Sequence, residues 1–448
     1  MKFARIDLDN LLIYRPGITI HIKKVNWHKK IGPPFYGWWL VLAAIVGQFV
    51  AIGSNQTAAG ILLTPITTDF GWSKSQYTLG GTLAFALSAL VGLYIGPKID
   101  RYGPRIIMML GTHLLVVALF LSSFVNKLWQ YTLMQILSGG LSYSLLGPLV
   151  VNTTLSKWFV QKRGLAIAFG SWGVSLAAIL TPHLLSPIIE TYGWRISYRL
   201  MAIFVWFILM PTCLIMRRQP EDFGLLPDGI KKDQLNQKQE PSLTLIELDH
   251  INSFTRSEAI GTRALWLLIL ATGCSGAAIM TLLLHGIPFL LESGLTLERA
   301  TLAFSIVGIG NLLCKLFWGW ALGKFEAKKL HAMTFILLLG GLLLILYAVT
   351  KKELMLLMVG FFIFGTGFGG QIPISEYLWA SYFGRANIGS IKGFGLPFSV
   401  AFLAGVPMIA SLLYDLTGTY SKSWAVVIIL LTLGGISILC IGKPNKVG

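Results

Sequence analysis

The sequence predicts an all-α membrane protein of twelve transmembrane helices, arranged as two six-helix halves written in the same direction. Three observations carry that reading. Hydrophobic residues make up 54% of the 448-residue chain and charged ones only 12%. The apolar residues gather in stretches long enough to cross a hydrocarbon core of roughly 30 Å, which takes about 20 helical residues. A sequence feature also recurs with its spacing intact. Gly71-Trp-Ser73 lies 25 residues, Gly to Gly, before Gly96-Pro-Lys-Ile-Asp100-Arg101-Tyr-Gly103-Pro-Arg105, and Gly294-Leu-Thr296 lies the same 25 before Gly319-Trp-Ala-Leu-Gly323-Lys324. Repetition on that scale marks one structural unit used twice.

The elements follow in order. Residues 1–33 form a basic tail, free in water or resting on anionic lipid. The first span, 37–63, is too long and wrongly flanked for a cleaved signal peptide. The next, 76–96, is entered through Ser73, whose hydroxyl is placed to cap a helix. Spans near 105–125, 129–155, 163–189 and 197–216 complete an N-terminal half over 34–216. Residues 217–262, with Pro220, Pro227, Pro241 and charges of both signs, read as a polar linker, with a surface helix around 242–250. A C-terminal half over 263–442 holds spans near 263–291, 297–322 (capped by Thr296), 329–350, 353–380, 388–413 and 423–442, and 443–448 is a short tail.

Lys and Arg set the expected orientation. Of 36, 27 fall on the side of the N-terminal tail, the linker and the turns holding Lys98, Arg101, Arg105, Lys157, Lys324 and Arg385, against eight on the other side, with Lys315 inside a span. The positive-inside rule then places both termini in the cytoplasm, in a multi-pass protein of the plasma (inner) membrane. The net charge of +17 is accounted for by this bias and calls for no nucleic-acid partner. Cys213, Cys274, Cys314 and Cys440 all fall in spans without paired spacing, so neither a disulfide framework nor a metal site is expected. No Gly-x-x-x-x-Gly-Lys-Ser/Thr loop is present, and no cofactor is expected. A membrane enzyme would need His, Asp or Glu clusters at an interface, and the sequence offers none.

Two groups of polar residues stand out. In the loop motif, Gly96 and Gly103 permit close helix approach and a tight turn, while Asp100 can meet a helix N-terminus or pair with Arg101 or Arg105. Such a contact, made in one conformation and broken in another, is a latch. Inside the spans, all 19 acidic residues are read as lying in tails, loops or near span ends. The deep charge is instead basic. Lys315 shares a helix face with Asn311 at i,i+4, and an intramembrane Lys beside an amide is an anion-binding hypothesis; snorkelling of Lys315 to an interface is the alternative.

At these residues the chain resembles the major facilitator superfamily over essentially its whole length. Phe35-Tyr-Gly-Trp-Trp39, Lys157-Trp-Phe-Val-Gln-Lys-Arg163-Gly-Leu-Ala166, Gly193-Trp-Arg195, His285-Gly-Ile-Pro288 and Tyr382-Phe-Gly-Arg385 with Gly389-Ser-Ile-Lys392-Gly393 are similar to the monocarboxylate and oxalate–formate branch, bacterial type. The resemblance implies secondary active transport of a small organic anion, a mono- or dicarboxylate, by alternating access, coupled to protons or a counter-anion. It assigns the latch (Gly96, Asp100, Arg101, Gly103, Arg105) to the outward-facing state, with Gly323 standing where the second copy usually has Asp. In that branch an Arg and an Asp occupy the positions of Lys315 and Asn311. The substitution keeps the positive charge but loses the bidentate fork and the titratable carboxyl.

Spans 1, 4, 7 and 10 would line the cavity, giving Asn55, Gln56, Tyr143 and Gln371 as contacts. His285 would serve as an outer gate or proton relay, or else pack as a hydrogen-bonded residue at a helix contact, and Lys392, from a Lys-Gly pair, would be a further substrate ligand or simply a loop residue. Gln135 stands where many family members begin a glycine-spaced motif with Arg. The partners expected are the solute, protons and membrane lipid, with no obligatory protein partner. Export of an uncharged or amphipathic molecule, and a non-transporting nutrient sensor on the same scaffold, are the competing readings.

Overall fold

The computed structural model describes residues 12–15, 18–21, 35–229 and 253–444. Most of the basic tail, the suggested surface helix at 242–250 and the last four residues lie outside the described residues. Within the tail, strands β1 (Leu12–Arg15) and β2 (Ile18–His21) pair antiparallel, Leu12 opposite His21, an element that the sequence pattern did not suggest.

From Gly37 onward the chain is helical. The spans are α1 (Gly37–Leu63), α2 (Lys74–Tyr102), α3 (Pro104–Ser122), α4 (Leu128–Trp158), α5 (163–192), α6 (194–215), α7 (Arg263–Glu292), α8 (Leu297–Ala321), α9 (Ala327–Lys351), α10 (Leu354–Phe383), α11 (Ile388–Thr417) and α12 (Ser421–Cys440). Helices α5 and α6 follow each other over Arg163–Ile215, with a turn at Ser171 inside α5 and a break at Gly193, whose φ of 78° and ψ of 167° turn the chain through a single residue. A β-carbon disfavours that conformation.

The repeat in the sequence is a repeat in the structure. Ser73 accepts a bond from the Gln76 N–H at 3.1 Å while Gln76 accepts from the Ser73 N–H at 2.9 Å, a complete capping box at the start of α2. Thr296 caps α8 through the Arg299 N–H. Helix α2 runs further than expected, to Tyr102, so Asp100 and Arg101 sit in its last turn and Gly103 alone (φ 81°) connects it to Pro104 of α3. Pro97 does not end α2, and Pro104, at the first position of α3, has no need of the N–H that it lacks.

Helices within each half approach through small residues, as membrane helices do. A β-carbon on Gly341 would meet the Phe364 backbone of α10 at 2.5 Å, and one on Gly365 would meet the Val307 carbonyl of α8 at 2.4 Å. Trp318, Phe361, Phe364, Leu378 and Trp424 are among the buried side chains of the C-terminal half. Two of the helix pairs that join the halves pack closely at the end of the bundle carrying the Gly103 turn and the basic loops, called the basic end below. In the first, α2 meets α11, where a β-carbon on Gly96 would lie 2.3 Å from the Gly389 carbonyl and one on Gly393 2.4 Å from the Gly92 carbonyl. In the second, α5 meets α8, with Gly164 against Leu322 and Gly319 against Ala168, both at 2.7 Å.

Candidate functional site

A cavity of about 580 Å³ opens from the middle of the N-terminal half toward the end opposite the basic loops, lined by α1, α2, α4 and two residues of α7. It brings together three of the residues named from the sequence, Asn55, Gln56 and Tyr143, and adds Gln135, Tyr77, Thr78 and Thr82. Both helices that supply its amides depart from α geometry there. Gly53–Thr57 in α1 and Ile136–Ser142 in α4 are π-helical. A π stretch inserts one residue into the helical period and re-aims the side chains beyond it, and such stretches concentrate at functional sites. The clusters Gly53-Ser-Asn55-Gln56 and Gly139-Gly140 are the sequence trace of these insertions. Tyr143 lies just above a further break at Gly147, whose N–H bonds the Tyr143 carbonyl at 2.7 Å. The Asn55 Nδ2 bonds the Ala51 carbonyl at 3.0 Å and leaves Oδ1 buried without a partner, while Gln135 donates to the Tyr131 hydroxyl at 2.6 Å.

Deeper, toward the basic end, lies Lys315. It is 1% exposed and does not snorkel. Its ammonium crosses from α8 to α5, donating to the Ser171 carbonyl at 3.1 Å and to the Ser175 hydroxyl at 2.7 Å. Ser175 in turn donates to the Asn311 Oδ1 at 3.2 Å, and the Asn311 Nδ2 is buried with no acceptor. The expected i,i+4 face is therefore real and turned toward the other half. It is not part of the open cavity. Gly173, beside Ser171 and Ser175, packs on α1 at Phe49, about 9 Å along that helix from Asn55 at 1.5 Å per residue.

The other named residues lie elsewhere. The His285 ring nitrogen lies 3.1 Å from the Pro407 carbonyl and 3.3 Å from the Ser411 hydroxyl, which binds α7 to α11. Gln371 faces α9, donating to Thr334 at 3.0 Å and meeting His331 at 3.1 Å. Lys392 is inside α11 rather than in a loop and is ion-paired with Glu376 of α10. That pair corrects the placement of the acidic residues. Helix α10 continues to Phe383, so Glu376 lies about 10 Å inside it.

Of the two contacts expected of Asp100, the structure has the helix N-terminus and not the arginines. Asp100 pairs with Lys157 at 2.8 Å rather than with Arg101 or Arg105, the two side chains being 8% and 3% exposed. Its carboxylate also accepts from the Gly389 and Ser390 N–H groups at 3.2 and 2.7 Å and from the Ser390 hydroxyl at 2.8 Å, so it caps α11 of the other half. Arg101 stacks on Tyr102, and its carbonyl accepts from Arg218; Arg105 is exposed. Arg385 donates to the Lys157 carbonyl at 3.0 Å and pairs with Glu221, while Asp228 accepts from the Val160, Gln161 and Lys162 N–H groups before α5. Residues 217–229, which carry Glu221 and Asp228, form a strap across this end, and in it the Arg218 guanidinium beside Asp222 holds that carboxyl below the usual carboxylate range.

The molecule is thus charge-bonded at the basic end, hollow toward the other, and built from a repeated six-helix unit. Residues 44–398 match the family model of the Major Facilitator Superfamily. The chain belongs to the major facilitator superfamily, whose members are transporters and not enzymes. It is 22% identical over 419 residues to the sialic acid transporter NanX of Escherichia coli, covering 88% of this chain and 94% of that one. It is also 32% identical over 162 residues to human monocarboxylate transporter 6, covering 36% and 31%. The MFS-type transporter pytF of Aspergillus terreus is 29% identical, with 70% of its length and 46% of this chain covered, whereas an MFS-type transporter of Gibberella moniliformis is matched over only 45% of its length. Among solved structures, the proton:xylose symporter XylE superimposes with a TM-score of 0.70 at 16% identity, covering 91% of this chain and 96% of that one. FucP in its outward conformation gives 0.63 at 13% identity, covering 91% and 100%. At these identities the likeness concerns the fold.

Proposed function

We propose that this facilitator carries a small organic anion bearing a carboxylate. The observation that supports the reading is Lys315, a cation enclosed between the halves whose bonds go to neutral oxygens. Such a charge is costly inside a membrane protein and marks a functional position. An anion would compensate it, and Asn311 has an unused N–H to offer to the same ligand. The likeness to carriers named for monocarboxylates and sialic acid, and the branch resemblance of the sequence, point in the same direction. The basic end is then cytoplasmic, and the structure is the outward-open state of an inner-membrane carrier driven by protons or a counter-anion.

A thermal-shift screen tests this directly. Purified protein is heated with short mono- and dicarboxylates, N-acetylneuraminate and neutral analogues, at two pH values. A ligand that binds the folded state at a hundred times its Kd stabilises it by about 2.7 kcal/mol. Stabilisation by a carboxylate, abolished in Lys315→Ala, is the expected result. One observation favours a second reading: the residues lining the open cavity are all uncharged. Stabilisation by neutral solutes alone, equal in wild type and Lys315→Ala, would select transport of an uncharged molecule.

A further inference from the structure

We propose that Ser175 is a gating residue: it holds Lys315 across the α5–α8 seam in place of the transported anion, so that arrival of an anion unfastens the basic end. The proposal rests on the anion reading for its ligand, but the clasp itself rests on geometry. Lys315 belongs to the C-terminal half, and both of its bonds end on α5 of the N-terminal half. At the basic end of the same pair of helices, Gly164 and Leu322 touch. Opening the basic end separates α5 from α8 and must break both bonds.

The Ser175 hydroxyl fills the role of one carboxylate oxygen. It accepts from Lys315 and donates to Asn311, which turns the Asn311 carbonyl toward it and leaves the amide N–H buried without an acceptor. A carboxylate is a better acceptor for the ammonium, since charge-assisted bonds are about twice as strong as neutral ones. It also has a second oxygen for the stranded N–H once the amide turns over. Substituting it for Ser175 therefore pairs both the ammonium and the stranded N–H with charged oxygens, and removes one of the two bonds that tie Lys315 to α5, leaving only the one to the Ser171 carbonyl. Without an anion, separating the halves would leave a bare ammonium. The clasp thus resists opening of the empty carrier and yields to the loaded one.

The test reads the seam itself. Nitroxide labels are placed on Lys162→Cys and Lys324→Cys, exposed positions at the basic ends of α5 and α8, in full-length protein carrying Cys314→Ser and Cys440→Ser. Pulsed dipolar spectroscopy then gives the open-to-closed ratio. Ser175→Ala should raise that ratio by about tenfold, the worth of one bond to a charged group. Ser175→Thr should restore it, and Ser175→Asp, which gives Lys315 a permanent carboxylate partner on α5, should lower it. Distributions that are the same in Ser175→Ala, Ser175→Asp and wild type would overturn the clasp. Acetate and N-acetylneuraminate form a separate arm. Either should raise the open share of wild type and leave Lys315→Met unmoved. Ser175 variants that shift while neither anion acts would uphold the clasp and count against an anion as the key.

Discussion

Asp100 makes four contacts with three residues, all in helices other than its own. The ion pair with Lys157 is buried within the N-terminal half, and the three bonds to Gly389 and Ser390 reach the C-terminal half. Breaking a buried pair by removing one charge is far costlier than the pair's net contribution, because the remaining charge is stranded. Asp100→Asn keeps the shape and an acceptor for the α11 N–H groups but strands Lys157. It should cost about 3–5 kcal/mol in the stability of the closed form. Lys157→Met added to it should recover much of that loss, a coupling that a double-mutant cycle on unfolding midpoints in detergent measures. If the two losses simply add, the carboxylate acts only through α11. Lys315 differs in kind: its partners are neutral, so replacing it by Met strands no carboxylate.

At the scale of elements, the end away from the basic loops is tied by Asp69, past the apolar part of α1, to Arg195 and Trp194 at the start of α6, at 2.9 and 3.1 Å. The bond from Arg195 holds the Asp69 carboxyl below its usual value of 3.8. A depressed carboxyl adds stability above its unfolded pKa and loses it as pH falls through the folded one. The advantage of wild type over Asp69→Asn should therefore be constant near neutrality and shrink as pH drops below about 3.8. Melting curves of both proteins from pH 6 to 3 check the sign, and an advantage that grows on acidification would refute the assignment. Much at this scale was legible in the sequence. Apolar length located the spans, the 25-residue register located the repeat, and Ser73 and Thr296 announced their caps, because each signal is local. Helix extensions past Pro97 and out to Phe383 were not legible, since charged residues at a helix end look like a loop until tertiary partners bury them. The π stretches left only a faint trace, the small and polar clusters at 53–57 and 138–142, because one extra residue barely disturbs a helix's apolar pattern and such clusters also serve close packing. Lys315 and Asn311 could be seen to share a face, but Ser175, 136 residues from Asn311, could be placed beside them only by the fold.

Over the whole molecule, the two halves meet in two different ways. The Asp100 carboxylate, capping the N-terminus of α11, and close glycine packing hold α2 to α11, while the Lys315 clasp holds α5 to α8. The Gly323 of the second repeat fits this division: where the first copy has Asp100, the second has no carboxylate, and the seam it borders is held by a buried amine instead. The strap 217–229 spans the same end, through Glu221 to Arg385 and through Asp228 to the loop before α5. Opening the basic end thus requires several polar contacts to part together, a cooperative change between two arrangements rather than a gradual one.

The α2–α11 seam has a practical consequence. Its closeness is set by hydrogen atoms standing where side chains would be, so the distance between the halves can be tuned one carbon at a time. Ala, Val and Leu at Gly96 form a series of shims of increasing thickness, the first already 2.3 Å from a carbonyl that cannot retreat without moving α11. The labelled pair at 162 and 324 should report a stepwise rise in the open share along that series. A thickness at which both forms are equally populated would give a balanced carrier, in which even a weakly bound solute tips the distribution measurably. Solutes of any chemistry can be screened on such a balance, because the signal is the tilt itself.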